Sequence, residues 1–305
     1  MRVKAVIPAY LNQLKTLGRS IYTVKNARYT LSHFARFLEA EKAALIEDLS
    51  IDVISGYQQE LYFCLTARTR PLTLRTQALR LSIVKGFTRF LKEKDYLIND
   101  PAESIRLPKK PKRLPGVILS QAEVKKLLYA PDTRSDSGYR NRIILEILYD
   151  TAVRRAEVAG IKLNDLDLAA GYIRITGKGD KDRVVPLSKR VCELIQNYIL
   201  MVRHKFVSGN DPGYLILNRW GQRMDPNSIW AVVKRCVELS GIRKNITTHT
   251  FRHTCATHML KNGAPIRHLQ EMLGHESLES TQIYTHVTIN DLKEIHTKYH
   301  PSESL

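Results

Sequence analysis

Residues 107–117 read LPKKPKRLPGV, with three prolines, one glycine, four bases and no acid. Proline withholds a backbone donor and disfavours helix, and like charges keep such a segment extended and hydrated. The 305-residue chain is therefore expected to fold as two units, 1–106 and 118–305, joined by a basic linker. Each length is ordinary for a domain. A solvated connector and one lying along a phosphate backbone fit the linker equally well.

The linker is part of a wider basic excess. The chain carries 48 Lys+Arg against 30 Asp+Glu, formally +18, with 43% hydrophobic and 26% charged residues. That is a soluble globular composition whose field attracts polyanions, either nucleic acid or anionic lipid. The excess divides as +7 before the linker, +4 within it and +7 after it, so a polyanionic partner is expected to touch both units. No run nears the roughly 18 apolar residues of a membrane span, and MRVKAVIPAYLNQLK lacks the pattern of a signal peptide. A cytoplasmic, nucleoid-associated protein is expected. Cys64, Cys192, Cys236 and Cys255 form no CxxC pair, which points to reduced thiols and away from a disulfide framework or thiolate zinc site.

The first unit reads as helical. In TVKNARYTLSHFARFLEAEK, Val24, Ala27, Leu31, Phe34 and Leu38 recur at three- and four-residue steps, with Thr23 as the expected N-cap. In LRTQALRLSIVKGFTRFLKEKDYL, Leu74, Ala78, Leu81, Val84, Phe87 and Leu91 form a second stripe. Seven bases and no acid lie between Glu60 and Glu93. Arg75, Arg80, Lys85, Arg89 and Lys92 fall largely off the stripe and are expected to face a phosphate groove; a merely solvated face usually mixes both signs. Lys109, Lys110, Lys112 and Arg113 of the linker are candidates for the same contact.

The second unit opens with Ser120 and Glu123 in capping-box spacing before the helix QAEVKKLLYA. A helix is expected through NRIILEILYDTAV, then a hairpin of GYIRITG and RVVPL joined by KGDKD, and a short strand at LILN, 215–218. Further helices are expected through VCELIQNYILMVR, SIWAVVKRCVEL, HTFRHTCATHMLKNG, IRHLQEML and the C-terminal stretch. The expected fold class is mainly α, a helical first unit followed by a mixed α/β unit with a small antiparallel sheet.

His249 and Arg252, in TTHTFRHTCATHML, share one helix face. A guanidinium forks two phosphate oxygens while an imidazole moves a proton. His249 and His253 also have the spacing of a zinc pair. No Glu follows the first His and no acidic third ligand is near, so no metal is expected. Taken alone, the segment fits a capping or core histidine as well. It is accompanied by Arg154 and Glu157 in TAVRRAEVAGIKLNDLD, Lys178 in TGKGDKDRVVPL, and His275 followed by Tyr284 in LGHESLESTQIYTHV.

In order and spacing these segments resemble the tyrosine site-specific recombinases, the phage-integrase superfamily, and most of all its compact Xer-type members. Arg154 stands at the family's first catalytic arginine and Lys178 at its lysine. His249 and Arg252 stand at the H-x-x-R pair, His275 at the His-or-Trp position of L-G-H, and Tyr284 at the nucleophile. Ala152 and Ala156 replace the usual Gly and Ser, and Arg155 adds a charge; none of these removes a catalytic group. The resemblance covers about the whole chain and implies a SAM-like, core-binding first unit and a tyrosine recombinase catalytic unit.

The resemblance also implies a mechanism. Tyr284 attacks the scissile phosphate to give a 3′-phosphotyrosyl link and a free 5′-hydroxyl, while Arg154 and Arg252 stabilise the non-bridging oxygens in place of a divalent metal. His275 hydrogen-bonds the phosphate, Lys178 protonates the leaving oxygen, and His249 accepts the tyrosine proton. Glu157 is read as a buried carboxylate that orients the loop of Arg154. No cofactor is expected, since the phosphotyrosine conserves the bond energy and no GxxxxGK[ST] segment occurs.

The implied partner is double-stranded DNA with a specific core site, in a tetramer of identical or paralogous subunits. In the tail, 288–305, Ile289, Leu292 and Ile295 form one apolar edge, which either packs on its own domain or docks into a neighbour as tails of the family do. Two other readings stand beside this one. A type IB topoisomerase-like nicking-closing enzyme is disfavoured by the small helical first unit and short tail. A non-catalytic basic DNA-binding protein is disfavoured by the intact Arg-Lys-His-Arg-His-Tyr set.

Overall fold

The computed structural model describes residues 1–66, 69–109, 117–177, 182–274 and 289–301. The chain divides into two compact units, Met1–Arg113 and Leu114–Leu305.

The first unit is built from α1 (Val3–Thr16), α2 (Ile21–Ala40), α3 (Ile51–Phe63) and α4 (Leu74–Glu93). The whole expected stripe of α2 is buried, and its Leu31, Phe34 and Leu38 share one core with Ile54, Tyr57, Leu61, Leu81, Val84, Phe87 and Leu91. The N-cap of α2 is Ser20 and not Thr23: Ser20 Oγ accepts from the Thr23 N–H at 3.2 Å. Thr23 has the right chemistry but already sits inside the first turn.

On α4 the expected stripe is buried except for Leu74, which is 41% exposed at the first turn. Arg75, Arg89 and Lys92 face solvent, and half-buried Arg80 lies with its guanidinium 5.2 Å from the centre of the Tyr29 ring. Lys85 departs from expectation. Its Nζ donates to the carbonyls of Ile105 at 2.6 Å and Glu103 at 3.0 Å, so the ammonium ties down the chain after α4 instead of facing outward. Position 85 adjoins Val84 at the edge of the stripe, within reach of carbonyls that the returning chain leaves without helix partners. Lys109 is exposed, while Lys110, Lys112 and Arg113 lie outside the described residues.

The second unit runs α5 (Gln121–Leu128), α6 (Asp136–Asp150), α7 (Arg155–Gly160), β1 (Leu166–Asp167), β2 (Tyr172–Thr176), β3 (Asp182–Pro186), α8 (Lys189–Met201), α9 (Pro226–Ser240), α10 (Thr248–Lys261), α11 (Ile266–Leu273) and α12 (Ile289–Tyr299). The Ser120–Glu123 capping box forms as expected. The sheet is antiparallel in the order β1-β2-β3, with Ile173 opposite Val185 and Ile175 opposite Arg183. LILN is not a strand: it makes only an isolated bridge, Leu217 with Arg223. The third strand is instead the two-residue β1.

Helix α6 is the centre of this unit. Every residue from Arg142 to Asp150 is buried, so the second half of the helix has no solvent face, and α5, α8, α9 and α10 pack around it. Such a helix is held by its neighbours and not by an amphipathic pattern. It stops at Asp150, short of the expected TAV, because Ala152 takes φ +52. That is a left-handed conformation a helix cannot continue through.

In the single chain, α12 folds onto its own unit against β3, α10 and α11, the first of the two arrangements considered for the tail. Ile295 packs against the core, and His296 and His300 are buried. His296 Nε2 donates to the Asp150 carbonyl at 2.8 Å and His300 Nε2 to that of Tyr149 at 3.2 Å. All four cysteines are free thiols, three of them buried. No helix of the described residues is long and apolar enough to cross a membrane.

Candidate active site

The turn after α6 delivers Arg154 to the N-cap of α7, where a carboxylate one turn on holds it twice. The Arg154 N–H donates to Glu157 Oε2 at 2.7 Å and its Nη1 to Oε1 at 3.0 Å. The opposite side of the same carboxylate takes a fork from Arg183 on β3, Nη1 to Oε1 at 3.1 Å and Nη2 to Oε2 at 2.8 Å. Burial alone pushes the Glu157 carboxyl up. The Arg183 fork and the Arg154 N–H and guanidinium outweigh it and hold the group below the usual carboxylate value. Glu157 is thus an anion with four donors, unsuited to taking up a proton, while the Arg154 side chain keeps 41% of its surface exposed.

Helix α10 brings the second pair. His249 is exposed in its first turn, and Arg252 follows on the same face, half-buried. Arg252 Nη1 donates to the Ala152 carbonyl at 2.8 Å, and Nη2 makes a short hydrogen bond to the Leu273 carbonyl at the end of α11. Burial, then the positive charge of Arg154, lowers Arg252 to about 10, with Glu157 opposing. The group stays charged at neutral pH. Partial burial of its ring, together with the charges of Arg252, Arg155 and Arg154, holds His249 below its ordinary value. The site therefore combines two guanidiniums, fixed from behind by a carboxylate and by carbonyls, with an imidazole neutral at pH 7. Such a set neutralises a tetrahedral or pentavalent anion and accepts a proton.

Of the six expected catalytic residues, the structure brings together Arg154, His249 and Arg252. Lys178, His275 and Tyr284 lie outside the described residues. Sequence reasoning missed Arg183. The available signal was a base amid the apolar run of RVVPL, where a strand buried on one face leaves a charge in need of a partner.

Among the described residues, one group has metal-ligating chemistry: Asp150, His296 and His300, all buried. The two imidazoles stack 4.6 Å apart with planes 8° from parallel. An imidazole lone pair lies in its ring plane, so no single ion sits in both planes. Each ring also donates Nε2–H to a backbone carbonyl. The group is a polar clasp for α12.

The chain matches the model of the phage integrase family over residues 118–291. It is 37% identical over 296 residues to tyrosine recombinase XerC 2 of Ralstonia nicotianae, a match covering 96% of this chain and 85% of that one. To tyrosine recombinase XerD of Staphylococcus epidermidis it is 35% identical over 300 residues, covering 98% and 99%. Two solved structures share the fold. A lambda integrase dimer bound to a COC′ core site gives a TM-score of 0.70 at 17% identity, covering 93% of this chain and 100% of that one. XerH recombinase bound to difH substrate, before cleavage, gives 0.68 at 22% identity, covering 93% and 82%. On this family match and on relatives alike along nearly their whole length, the chain belongs to the phage integrase family, among the Xer-type tyrosine recombinases.

Proposed function

We propose that this enzyme recombines two specific duplex DNA sites, cleaving and rejoining each strand through a 3′-phosphotyrosyl intermediate on Tyr284. The observation that carries this reading is the pair of anchored guanidiniums beside the His249 imidazole, whose protonated form burial and these cations disfavour. A phenol of reference pKa about 10 is only about one part in a thousand ionised at pH 7, so Tyr284 needs a base, and His249 in its unprotonated form supplies one. As the tyrosine oxygen bonds to phosphorus, Arg154 and Arg252 stabilise the non-bridging oxygens, with His275 adding a hydrogen bond. The bond to the 5′-oxygen breaks, and Lys178 gives that oxygen its proton.

The basic first unit (1–106), the linker (107–117) and the catalytic unit (118–305) would together grip one duplex. Arg75, Arg89, Lys92 and Lys109 are the exposed candidates for phosphate contact, Arg80 a half-buried one, and Lys110, Lys112 and Arg113 complete the linker's share. The dimers and tetramers described for lambda integrase on DNA support a tetrameric synapse here, with an identical or paralogous partner. Exchange of α12 between subunits would mean lifting His296 and His300 off the Asp150 and Tyr149 carbonyls and seating the same face on a neighbour. Resolution of DNA multimers and movement of a mobile element would use the same chemistry.

The test is to recover the DNA sequence that the protein protects in genomic footprinting, and to incubate it, nicked and supercoiled, with the full chain before denaturation. A covalent Tyr284 adduct with recombinant product is expected. Adduct with relaxation alone would mean a topoisomerase, and no adduct a DNA-binding protein.

A further inference from the structure

The last two carbonyls of α11 are each held by an arginine, and both arginines are anchored at their other end beside Arg154. Arg183 Nε donates to the Met272 carbonyl at 3.1 Å while its Nη atoms fork Glu157. Arg252 bridges the Leu273 and Ala152 carbonyls. Gly274 caps α11 at φ +62, and a Cβ there would stand 3.3 Å from both Cδ and Nε of Arg183. Arg183 thus lies flat beneath the turn whose next residue in sequence is His275. Carbonyls at a helix C-terminus lack intrahelical partners and carry the negative end of the helix dipole, so a guanidinium placed there both bonds and is attracted.

We propose that Arg183 is a positioning residue for strand cleavage, setting Arg154 through Glu157 and the end of α11 through the Met272 carbonyl as one rigid piece. The inference rests on the roles proposed above for Arg154 and Tyr284. Its physical core is a charge count. Glu157 alone would draw Arg154 back and cancel its charge where the phosphate needs it. With the Arg183 fork the carboxylate is already neutralised, so Arg154 is oriented by Glu157 while its charge stays available to an anion. Arg183 Nε, Nη1 and Nη2 are all engaged by the Met272 carbonyl and Glu157, so its place is behind the phosphate-facing arginine.

The experiment uses the full chain and a duplex of the protected sequence, cleaved at the phosphate that the wild-type adduct identifies, with the 5′ leaving atom either oxygen or sulfur. A thiolate departs without a proton, so the sulfur duplex bypasses any defect in leaving-group protonation. Arg183→Gln is expected to slow Tyr284 adduct formation by about 10–100-fold, on the scale set by outer hydrogen-bond partners of metal ligands. The loss should be equal on both duplexes, at full adduct amplitude and with unchanged DNA affinity. Arg183→Lys keeps the charge without the fork and should fall between; if the Gln variant does not fold, the Lys variant carries the same test. A wild-type rate in either variant overturns the proposal. Full restoration by sulfur overturns it too, by placing the effect on the proton donor. A reduced amplitude at unchanged rate would mean a purely structural role and likewise overturns it. Failure of the wild-type protein to form any adduct would instead remove the recombinase reading itself, before any variant is made.

Discussion

Two glutamates of the catalytic unit are each gripped by a pair of arginines, one in the middle of α6 and one at the start of α7. Glu146 takes Arg142 Nε at 2.6 Å and the Arg190 fork at 2.9 and 2.6 Å, with the arginines 7% and 20% exposed. Glu157 takes Arg183 at 14% and Arg154 at 41%. The same three charges make a closed joint in the first case and an open one in the second. In the closed joint every charge is spent on another protein group, and its worth is geometric, since a buried pair gains little net stability over an apolar replacement. In the open joint one cation is oriented by protein but not enclosed by it, which is what an arriving phosphate requires.

The largest loss of stability is expected at Glu146. Glu146→Ala strands two arginines in the core, and urea denaturation should show a loss of about 3–5 kcal/mol. A loss below about 1 kcal/mol would mean that joint is not closed. At the open joint the balance reverses. Arg154→Ala should lower the rate of Tyr284 adduct formation by about 10²–10³-fold while leaving the urea midpoint and DNA affinity nearly unchanged. An unfolding defect as large as that of Glu146→Ala would make the two joints equivalent.

A pH titration reads the open joint, where the His249 imidazole stands among the charges of Arg252, Arg155 and Arg154. His249 has a folded value below its unfolded one, about 6.5, so the stability associated with it is complete above that pH and declines as pH falls toward the folded value. Imidazole NMR of the free protein should give a midpoint under 6.5 for His249, and adding duplex DNA should raise it as phosphate charge offsets the arginines. A midpoint at or above 6.5 without DNA would contradict the arrangement. The smallest effect lies between the joints. Ala152→Gly relieves a left-handed backbone but removes a fully buried methyl. The two terms nearly cancel, and stability should move by less than about 1 kcal/mol.

Much of this is legible in the sequence, for reasons particular to each element. The α2 stripe and the Ser120–Glu123 box are local patterns, written within one or two turns, and they fold as written. Arg154, His249 and Arg252, the described members of the proposed catalytic set, are named by the family resemblance of their segments. Elements defined by tertiary context were not legible. Helix α1 contains Pro8 and has no side-chain cap. Helix α7 is a six-residue turn started by Arg154 and Glu157, and β1 spans two residues with no alternation to detect. Lys85 looked like a phosphate ligand because its carbonyl partners lie 18 and 20 residues away. Arg183 stayed hidden for a similar reason: its partners, Glu157 and Met272, lie 26 and 89 residues off in sequence.

Helix α6 also has a consequence for inheritance. Between Glu146 and Arg154 the chain meets Arg190 at Glu146, the Ser188 N–H at Asp150, His300 and His296 at the carbonyls of Tyr149 and Asp150, and Arg252 at the carbonyl of Ala152. One residue inserted between Glu146 and Asp150, inside the helix, would turn everything beyond it by about 100° and carry it about 1.5 Å along the axis, undoing all later attachments together. An insertion at the exposed Gly209–Asn210 turn, ahead of the Asp211 carboxylate that forks Arg203, would meet no such series of attachments. From 146 to 154, what must be transmitted is the number of residues as much as their identity.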